Sequence, residues 1–528
     1  MKKDKAKEFE AIGDKNVEAG NSEKAIENYK SALSIVRQND DKNTLGTLYI
    51  KLANTYYELK DIDNYVLFYE KYLELFPDGQ LSVLQRLAYA YYFIDTNKSI
   101  EYHDRALLYD INDYDAVSIA FAMIKSSDYS QSEVLEEAEY LMTELKETYF
   151  SDIQKYYSPE KKKSKDSDKK LNIGYLSSDC HSHIMMNYIL PIWENHNKKK
   201  FNITVFNSSS TSDTTTAKIK SLGLNIIDCE KLEIPQLAQV IFDKDIDILV
   251  DLGGFTNLRS LVHFYKPAPI ILSYLGYLNT LGIDEVDYII ANKFMLPKKF
   301  AKYYKEKPLY LPKEYQVFEP PTNLLEQTVC PFEKNGYITF GSFNCVSKLS
   351  NKLIRLWVKI LQNVPNSKLL IYRTGMSKTV IKRLSAEFER HGVSKDRIEY
   401  NTTTYFPHFK AYELADVSLD SYPFSGMSIC LETALCGVPT VTLKGEALQS
   451  NGAASVLNSC GLSSLIAVND EEYIELATRL AKNSAYLQQL RGELREIVRN
   501  SPICTKHKEF TRSLERKYRK IWKEYCEN

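Results

Sequence analysis

Long apolar runs are missing from this 528-residue chain. None approaches the ~18 residues a membrane-spanning helix needs, so no membrane span is expected. The opening residues, MKKDKAKEFEAIGDK, are basic but lack an apolar stretch behind the charges, so a secretory signal is not expected. Neither sign of charge is in excess: 68 Lys and Arg face 69 Asp and Glu, a net charge of -1. That balance gives no reason to expect nucleic acid or an anionic membrane as partner. The nine cysteines are scattered without a CxxC pair, which speaks against a zinc ligand set and for reduced thiols in a cytoplasm. A Walker loop is absent. Asp-x-Asp pairs occur at Asp61 and Asp63, Asp166 and Asp168, and Asp245 and Asp247. They fall in a repeat turn, a charged linker and a strand start, so no metal–diphosphate site is expected from them.

What is present begins with a repeat. Gly13, Asn16, Ala25, Tyr29 and Ala32 return in phase as Ala53, Tyr56, Tyr65, Tyr69 and Tyr72, with Pro77 closing the second unit. Ala88, Tyr91, Ile100 and Ala106 mark a shortened third unit, and a degenerate fourth near Tyr114 to Leu145 is placed to cap the stack. The pattern resembles the tetratricopeptide repeat, in which small residues let two helices cross closely and aromatics fill the gaps. A helical domain over residues 1–150 is expected. Ser158 to Lys170 is polar and charged and reads as part of an exposed linker over 151–170.

From Leu171 short β-branched strands alternate with helices. Strands are expected at Leu171 to Leu176, Asn202 to Phe206, Ile246 to Asp251, Ile270 to Tyr274 and Tyr288 to Ile290. A second series is expected at Tyr337 to Phe340, Lys368 to Tyr372, Ile398 to Tyr400, Val417 to Leu419 and Thr440 to Leu443. Helices are expected at Asn351 to Asn363 and Lys378 to His391. This predicts two successive parallel-sheet lobes, over 171–318 and 319–506, with a cleft between them. The break falls near Glu314 to Glu333, around Pro320 and Pro321. The amphipathic stretch from His507 is expected to form a helix over 507–528 that returns to the body.

The most informative segment is Glu413 to Leu443. It reads as a strand at Val417, a loop from Tyr422 to Gly426, a helix from Met427 to Leu435, a stop at Gly437 and a strand from Thr440. In open α/β sheets ligands bind beyond the carboxyl ends of strands, and helix N-termini there attract phosphate. Glu432, five residues into the helix, is placed to meet a ribose diol. Together these predict a nucleotide diphosphate held by backbone amides.

Six motifs in order then carry a resemblance. The first runs from Ile173 to Asp179, with His183 four residues after the Asp. The second is Asp247 to Thr256. The third is Pro267-Ala268-Pro269-Ile270, continuing to Leu275-Gly276-Tyr277-Leu278-Asn279. The fourth is Phe343-Asn344-Cys345-Val346-Ser347-Lys348, followed by Val364 to Ser367. The fifth is His408 with Leu414-Ala415-Asp416-Val417. The sixth is the helix segment itself, continuing through Gly445 to Leu448 and Ala453 to Ser455. The chain resembles the O-linked N-acetylglucosamine (O-GlcNAc) transferase family and its SPINDLY-type and bacterial relatives. The resemblance implies a tetratricopeptide array followed by the two Rossmann-like lobes of a GT-B fold.

It also implies roles. Lys348 is the cation for the leaving diphosphate, and Glu432 holds the ribose. His408 packs on the base, and Gly426, Met427 and Ser428 lie at the phosphates. Cys345 and Thr403 complete the donor-binding set. His183 is the first-lobe residue facing donor and acceptor, as base or positioning group, with His181 beside it as an alternative. The implied activity is an inverting, metal-independent transfer of sugar to Ser or Thr of a polypeptide recruited by the repeats. For a bacterial-type member that polypeptide would be a flagellin or a surface adhesin. No cofactor beyond the nucleotide-sugar donor is expected. The chain departs from the animal enzyme at Cys345, Met427, Ile429 and Ala411, which stand for a Gln, a His, a Thr and an Arg. All four line the donor site, so UDP-GlcNAc is the default donor and UDP-glucose or GDP-fucose stays open. An N-linking enzyme acting on Asn and a nucleotide-binding repeat scaffold are the alternative functions.

Overall fold

The structure is a computed structural model that describes residues 2–36, 42–109, 112–126, 128–157, 166–322, 324 and 330–527. The expected linker from Ser158 to Lys165 lies outside the described residues, as does part of the break between lobes. The chain divides into two compact units, residues 1–110 with 375–386, and residues 111–374 with 387–528.

Among the described residues, the 1–110 part of the first unit holds six helices: α1 (Lys2–Glu18), α2 (Ser22–Val36), α3 (Lys42–Glu58), α4 (Ile62–Leu75), α5 (Leu81–Tyr92) and α6 (Thr96–Leu107). They pack as antiparallel pairs in the order of the repeats. The repeat positions Ala25, Tyr29, Ala32, Ala53, Tyr65, Tyr69, Ala88 and Ala106 are all buried. The aromatics fill the inter-helix gaps as the repeat pattern demands: Tyr56 stacks on Phe68 at 5.7 Å, and Tyr91 on Tyr102 at 5.4 Å. The same polar contact recurs in successive repeats, where Tyr29 donates to Asp14 at 2.8 Å and Tyr69 to Asn54 at 2.6 Å.

The second unit opens with the last helical pair, α7 (Asp113–Met123) and α8 (Gln131–Tyr149). Asn112 caps α7, and a capping box of Ser130 and Glu133 starts α8. Two all-parallel sheets follow. The first contains β1 (Leu171–Ser177), β2 (Phe201–Asn207), β3 (Asn225–Asp228), β4 (Ile248–Asp251), β5 (Ile270–Ser273), β6 (Tyr288–Asn292) and β7 (Lys307–Leu311), in spatial order β3-β2-β1-β4-β5-β6-β7. The second contains β8 (Ile338–Ser342), β9 (Ser367–Tyr372), β10 (Ile398–Asn401), β11 (Val417–Leu419), β12 (Thr440–Leu443) and β13 (Ile466–Ala467), in order β10-β9-β8-β11-β12-β13. The central strands are apolar on both faces because helices cover both faces of a parallel sheet. The expected helix from Asn351 to Asn363 occurs with those bounds, and the expected start at Ile246 moves to Ile248. Asp247 is spent on other contacts: its carboxylate accepts the Asn172 N–H at 2.8 Å and meets Lys169 at 2.9 Å.

Each sheet reverses its strand order once, between β1 and β4 and between β8 and β11. Ligand crevices in such sheets open at the carboxyl ends of the strands flanking that reversal. In this chain those ends lead into Ser178 to His183, Leu252 to Gly254, Phe343 to Lys348 and Asp420 to Gly426. The fold therefore gathers four of the six sequence motifs at the two switch points.

All three tryptophans are fully buried, each on a helix that covers a sheet: Trp193, Trp357 and Trp522. Trp522 belongs to the final helix, His507–Glu527, which packs on the first lobe's helix Ile184–Asn195. A buried polar relay fixes it there. Tyr175 meets Tyr518 at 3.2 Å and His196 at 2.9 Å, and His196 meets Glu515 at 3.0 Å.

Candidate active site

The second-lobe half of the site is built around Asp420, the residue that follows β11. Its carboxylate is buried, and burial raises its pKa. It accepts the Gly426 N–H at 2.7 Å and the Thr442 hydroxyl at 2.7 Å. The Asn344 amide approaches it at 3.5 Å. These bonds fold the loop so that Gly426 meets Asn344 backbone-close: a Cβ at Gly426 would fall 2.4 Å from the Asn344 amide oxygen. A glycine is required there by that approach.

Helix Met427–Leu435 starts at Gly426 without a side-chain cap. The first N–H groups of a helix lack intrahelical partners, and their partial positive charge favours an anion. Lys348, at the end of the turn Val346–Lys348, places its Nζ 3.4 Å from the Ser425 carbonyl and 3.9 Å from the centroid of the Phe424 ring. Burial lowers its pKa, with Cys345 and Asp420 opposing the shift. The structure thus brings Lys348 to the residue preceding Gly426 and the uncapped helix start. Cys345 is partly exposed at the beginning of the same turn. Met427 is buried, so what it offers at this end is its backbone.

One turn further into the helix, Glu432 is buried and carries two partners on one oxygen. Tyr412 donates to Oε2 at 2.5 Å, and His408 Nε2 lies 3.2 Å from it. The Glu432 hydrogen bond raises the pKa of His408, against the effect of burial. More than half of the His408 side chain is exposed, so the imidazole is presented outward from the carboxylate. Phe409 and Tyr412 back it, and Phe343 meets Tyr412 edge-on at 4.9 Å. Ala411, where the resemblance expects an Arg, is buried in this cluster. Thr403 is exposed in the loop after β10, where its carbonyl accepts the Tyr372 hydroxyl at 3.0 Å.

In the first lobe, His183 is the N-cap of helix Ile184–Asn195, and its Nδ1 accepts the Met185 N–H at 3.4 Å. The same nitrogen lies 3.6 Å from an Asp179 oxygen. With Nδ1 accepting, the neutral ring carries its proton on Nε2 and acts as a donor; with Nδ1–H turned to Asp179, Nε2 becomes a base. His181 is held differently, through Ser209 Oγ at 3.0 Å. The helix that His183 caps also carries Tyr188, whose hydroxyl lies 2.9 Å from Ser428 Oγ in the first turn of helix Met427–Leu435. The two lobes therefore touch at the start of helix Met427–Leu435. Other bonds that join them include Asn279 to Gln449 at 3.1 Å, the Leu448 N–H to Tyr304 at 2.9 Å, and Asn451 to the Met295 carbonyl at 2.8 Å.

Sequence reasoning missed Asp420, Tyr412 and Tyr188. Asp420 had a readable signal, a carboxylate directly after a strand and six residues before the helix-start glycine. Tyr412 follows His408 by four residues, but in a 3-10 turn, where that spacing gives no face to read. Tyr188 carries no local mark, because its partner is 240 residues away.

No helix among the described residues is long and apolar enough to cross a membrane. Comparison with known proteins identifies what this geometry belongs to. The chain is 31% identical over 372 residues to a probable UDP-N-acetylglucosamine–peptide N-acetylglucosaminyltransferase SPINDLY of Solanum lycopersicum, covering 69% of this chain and 40% of that one. The Arabidopsis thaliana protein of the same name matches at 31% over 370 residues, with the same coverage. The chain thus spans about two fifths of the length of these curated relatives. A Thermobaculum terrenum O-GlcNAc transferase structure superposes with a TM-score of 0.81 at 24% identity, covering 100% of this chain and 99% of that one, which bears out the expected fold. The profile of glycosyltransferase family 41 matches residues 146–327 and 330–514, the last helical pair's end and both lobes, and the chain belongs to that family.

Proposed function

We propose that this chain transfers a sugar from a nucleoside-diphosphate donor to a Ser or Thr hydroxyl of a polypeptide. The observation that carries the reading is the row formed by Lys348, the uncapped start of helix Met427–Leu435, Glu432 and His408. On this reading the row supplies a cation, a phosphate-facing helix end, a ribose acid and a base-stacking ring. UDP-GlcNAc is the default donor. The acceptor hydroxyl oxygen attacks the anomeric carbon from the face opposite the diphosphate, and the bond from that carbon to the β-phosphate oxygen breaks. The configuration inverts, the diphosphate leaves with the bonding pair, and the hydroxyl proton passes to His183 or to water. Lys348 and the helix amides balance the growing charge on the leaving group, so the step proceeds without a metal ion. The repeats recruit the acceptor, a cytoplasmic polypeptide such as a flagellin or an adhesin.

Loss of a charge contact made in the transition state typically costs ~10²–10³ in rate. Lys348→Ala is therefore expected to lower turnover by about that factor while leaving the circular-dichroism spectrum unchanged. Turnover equal to wild type removes Lys348 from the reaction. Product mapping separates the alternatives: sugar on Asn favours the N-linking reading, and nucleotide binding without transfer or hydrolysis favours a scaffold.

A further inference from the structure

We infer that Tyr188 of the first lobe is a positioning residue for the donor diphosphate and acts through Ser428 of the second lobe, an inference that rests on the donor reading above and adds a residue to it. Tyr188 is 1% exposed, and its hydroxyl lies 2.9 Å from Ser428 Oγ. Among the described residues neither hydroxyl has another hydrogen-bond partner. The Tyr188 ring is held from behind. It packs on Phe318 at 5.0 Å, the Phe318 N–H donates to the Ile503 carbonyl at 3.0 Å, and the Glu319 N–H donates to the Asn187 carbonyl at 2.7 Å. Tyr188 also belongs to the helix Ile184–Asn195, whose N-cap is His183. The phenol therefore reaches Ser428 from a fixed direction, on the same helix that presents His183.

Ser428 is the place where such a contact bears on the diphosphate. Helix Met427–Leu435 has no side-chain cap, and the Cys430 N–H bonds the Gly426 carbonyl at 2.8 Å. The N–H groups of Met427, Ser428 and Ile429 lie ahead of that bond, where a helix leaves its donors unpaired. Of these three residues only Ser428 carries a polar side chain, and it is partly exposed. Two hydroxyls that share one hydrogen bond have one donor between them. A phenol is the stronger acid of the two, so Tyr188 donates and Ser428 keeps its own hydrogen for a further acceptor. Burial pushes the pKa of the Tyr188 phenol up, so it holds that proton. A serine left alone near a helix start turns to backbone partners of its own. Accepting from Tyr188 removes that freedom and aims the Ser428 hydrogen at a phosphate oxygen. In a low-dielectric place the two bonds of such a chain strengthen each other.

The test uses the full-length chain. Affinities for UDP and for uridine are measured by calorimetry on wild type, Tyr188→Phe, Ser428→Ala and the double variant, with GDP and guanosine in their place if the wild type prefers them. Tyr188→Phe deletes the hydroxyl and keeps the ring. It is expected to weaken UDP binding about fivefold and leave uridine binding unchanged. Ser428→Ala is expected to weaken UDP binding about tenfold, and adding Tyr188→Phe to it to cost nothing further. Tyr188→Leu replaces Tyr188→Phe if the latter does not fold. UDP affinity equal to wild type in a folded Tyr188 variant overturns the inference. So does an equal loss for UDP and uridine, which marks the bond as a brace between the lobes. A double variant whose loss is the product of the two single losses also overturns it, because Tyr188 then acts without Ser428. A wild type that binds neither UDP nor GDP overturns the donor reading itself; a wild type that binds UDP, with an indifferent Tyr188 variant, leaves that reading standing and removes only this inference.

Discussion

Glu432→Gln is the substitution whose effect follows most directly from the geometry. The carboxylate is buried and accepts from Tyr412 at 2.5 Å and from His408 at 3.2 Å, both on Oε2. An amide keeps the shape and one acceptor oxygen, so the Tyr412 hydroxyl stays satisfied and the fold survives. Alanine would leave that buried hydroxyl without this partner, at a cost of about 1–3 kcal/mol. Hydrogen bonds to a charged group contribute about 1.5–3 kcal/mol and neutral ones about 0.5–1.5. Two ribose hydroxyls losing a charged acceptor therefore lose roughly 2 kcal/mol together, or about thirtyfold in affinity. Calorimetry with UDP and with 2′,3′-dideoxy-UDP reads this directly. UDP should bind about thirtyfold more weakly to the variant, and the dideoxy nucleotide should bind wild type and variant alike. An equal loss for both ligands, or none for UDP, refutes the ribose assignment. The His408 imidazole reports the same change: its pKa, raised by Glu432, should fall in the variant when followed by NMR.

Glu306 gives a pH-dependent prediction. It is buried beneath the Asn279 to Gly282 segment, where it accepts the Leu281 N–H at 2.6 Å, and burial raises its pKa to about 7. The folded state then holds this proton more tightly than the unfolded chain, so stability falls as pH rises from the ordinary carboxyl range to about 7. The loss amounts to about 3 kcal/mol at 1.36 kcal/mol per pH unit. Glu306→Gln should flatten the melting-temperature profile and be more stable than wild type at pH 8; a profile parallel to wild type contradicts the assignment. His183→Ala should lower kcat about a hundredfold or more if the imidazole moves a proton. It should leave UDP affinity unchanged, and full kcat in this variant removes His183 from the reaction.

How much of this was legible in the sequence depended on whether the governing contacts are local. The helix from Met427 to Leu435 was readable to the residue, because Gly426 opens it and Gly437, at φ +76°, closes it within the same segment. The central strands were readable because burial on both faces leaves continuous β-branched runs. β3, β7 and β13 were not. β3 and β7 are the two edges of the first sheet and β13 is one edge of the second; β3 is half-exposed, β7 carries Pro308 and β13 is two residues long. Lys348, Glu432 and His408 were found through motifs, which mark a position without showing its partners. The bonds that make them one site, Tyr412 to Glu432, Asp420 to Gly426 and Tyr188 to Ser428, arise from tertiary placement.

The central claim is glycosyl transfer to protein, and intact-mass analysis of a candidate acceptor polypeptide after incubation with a panel of nucleotide sugars tests it most directly. The account predicts a mass increase of one or more sugar residues with a single donor class, in the presence of EDTA, and its loss with Lys348→Ala. Unmodified acceptors and intact donors across the whole panel, from a folded chain, would contradict it.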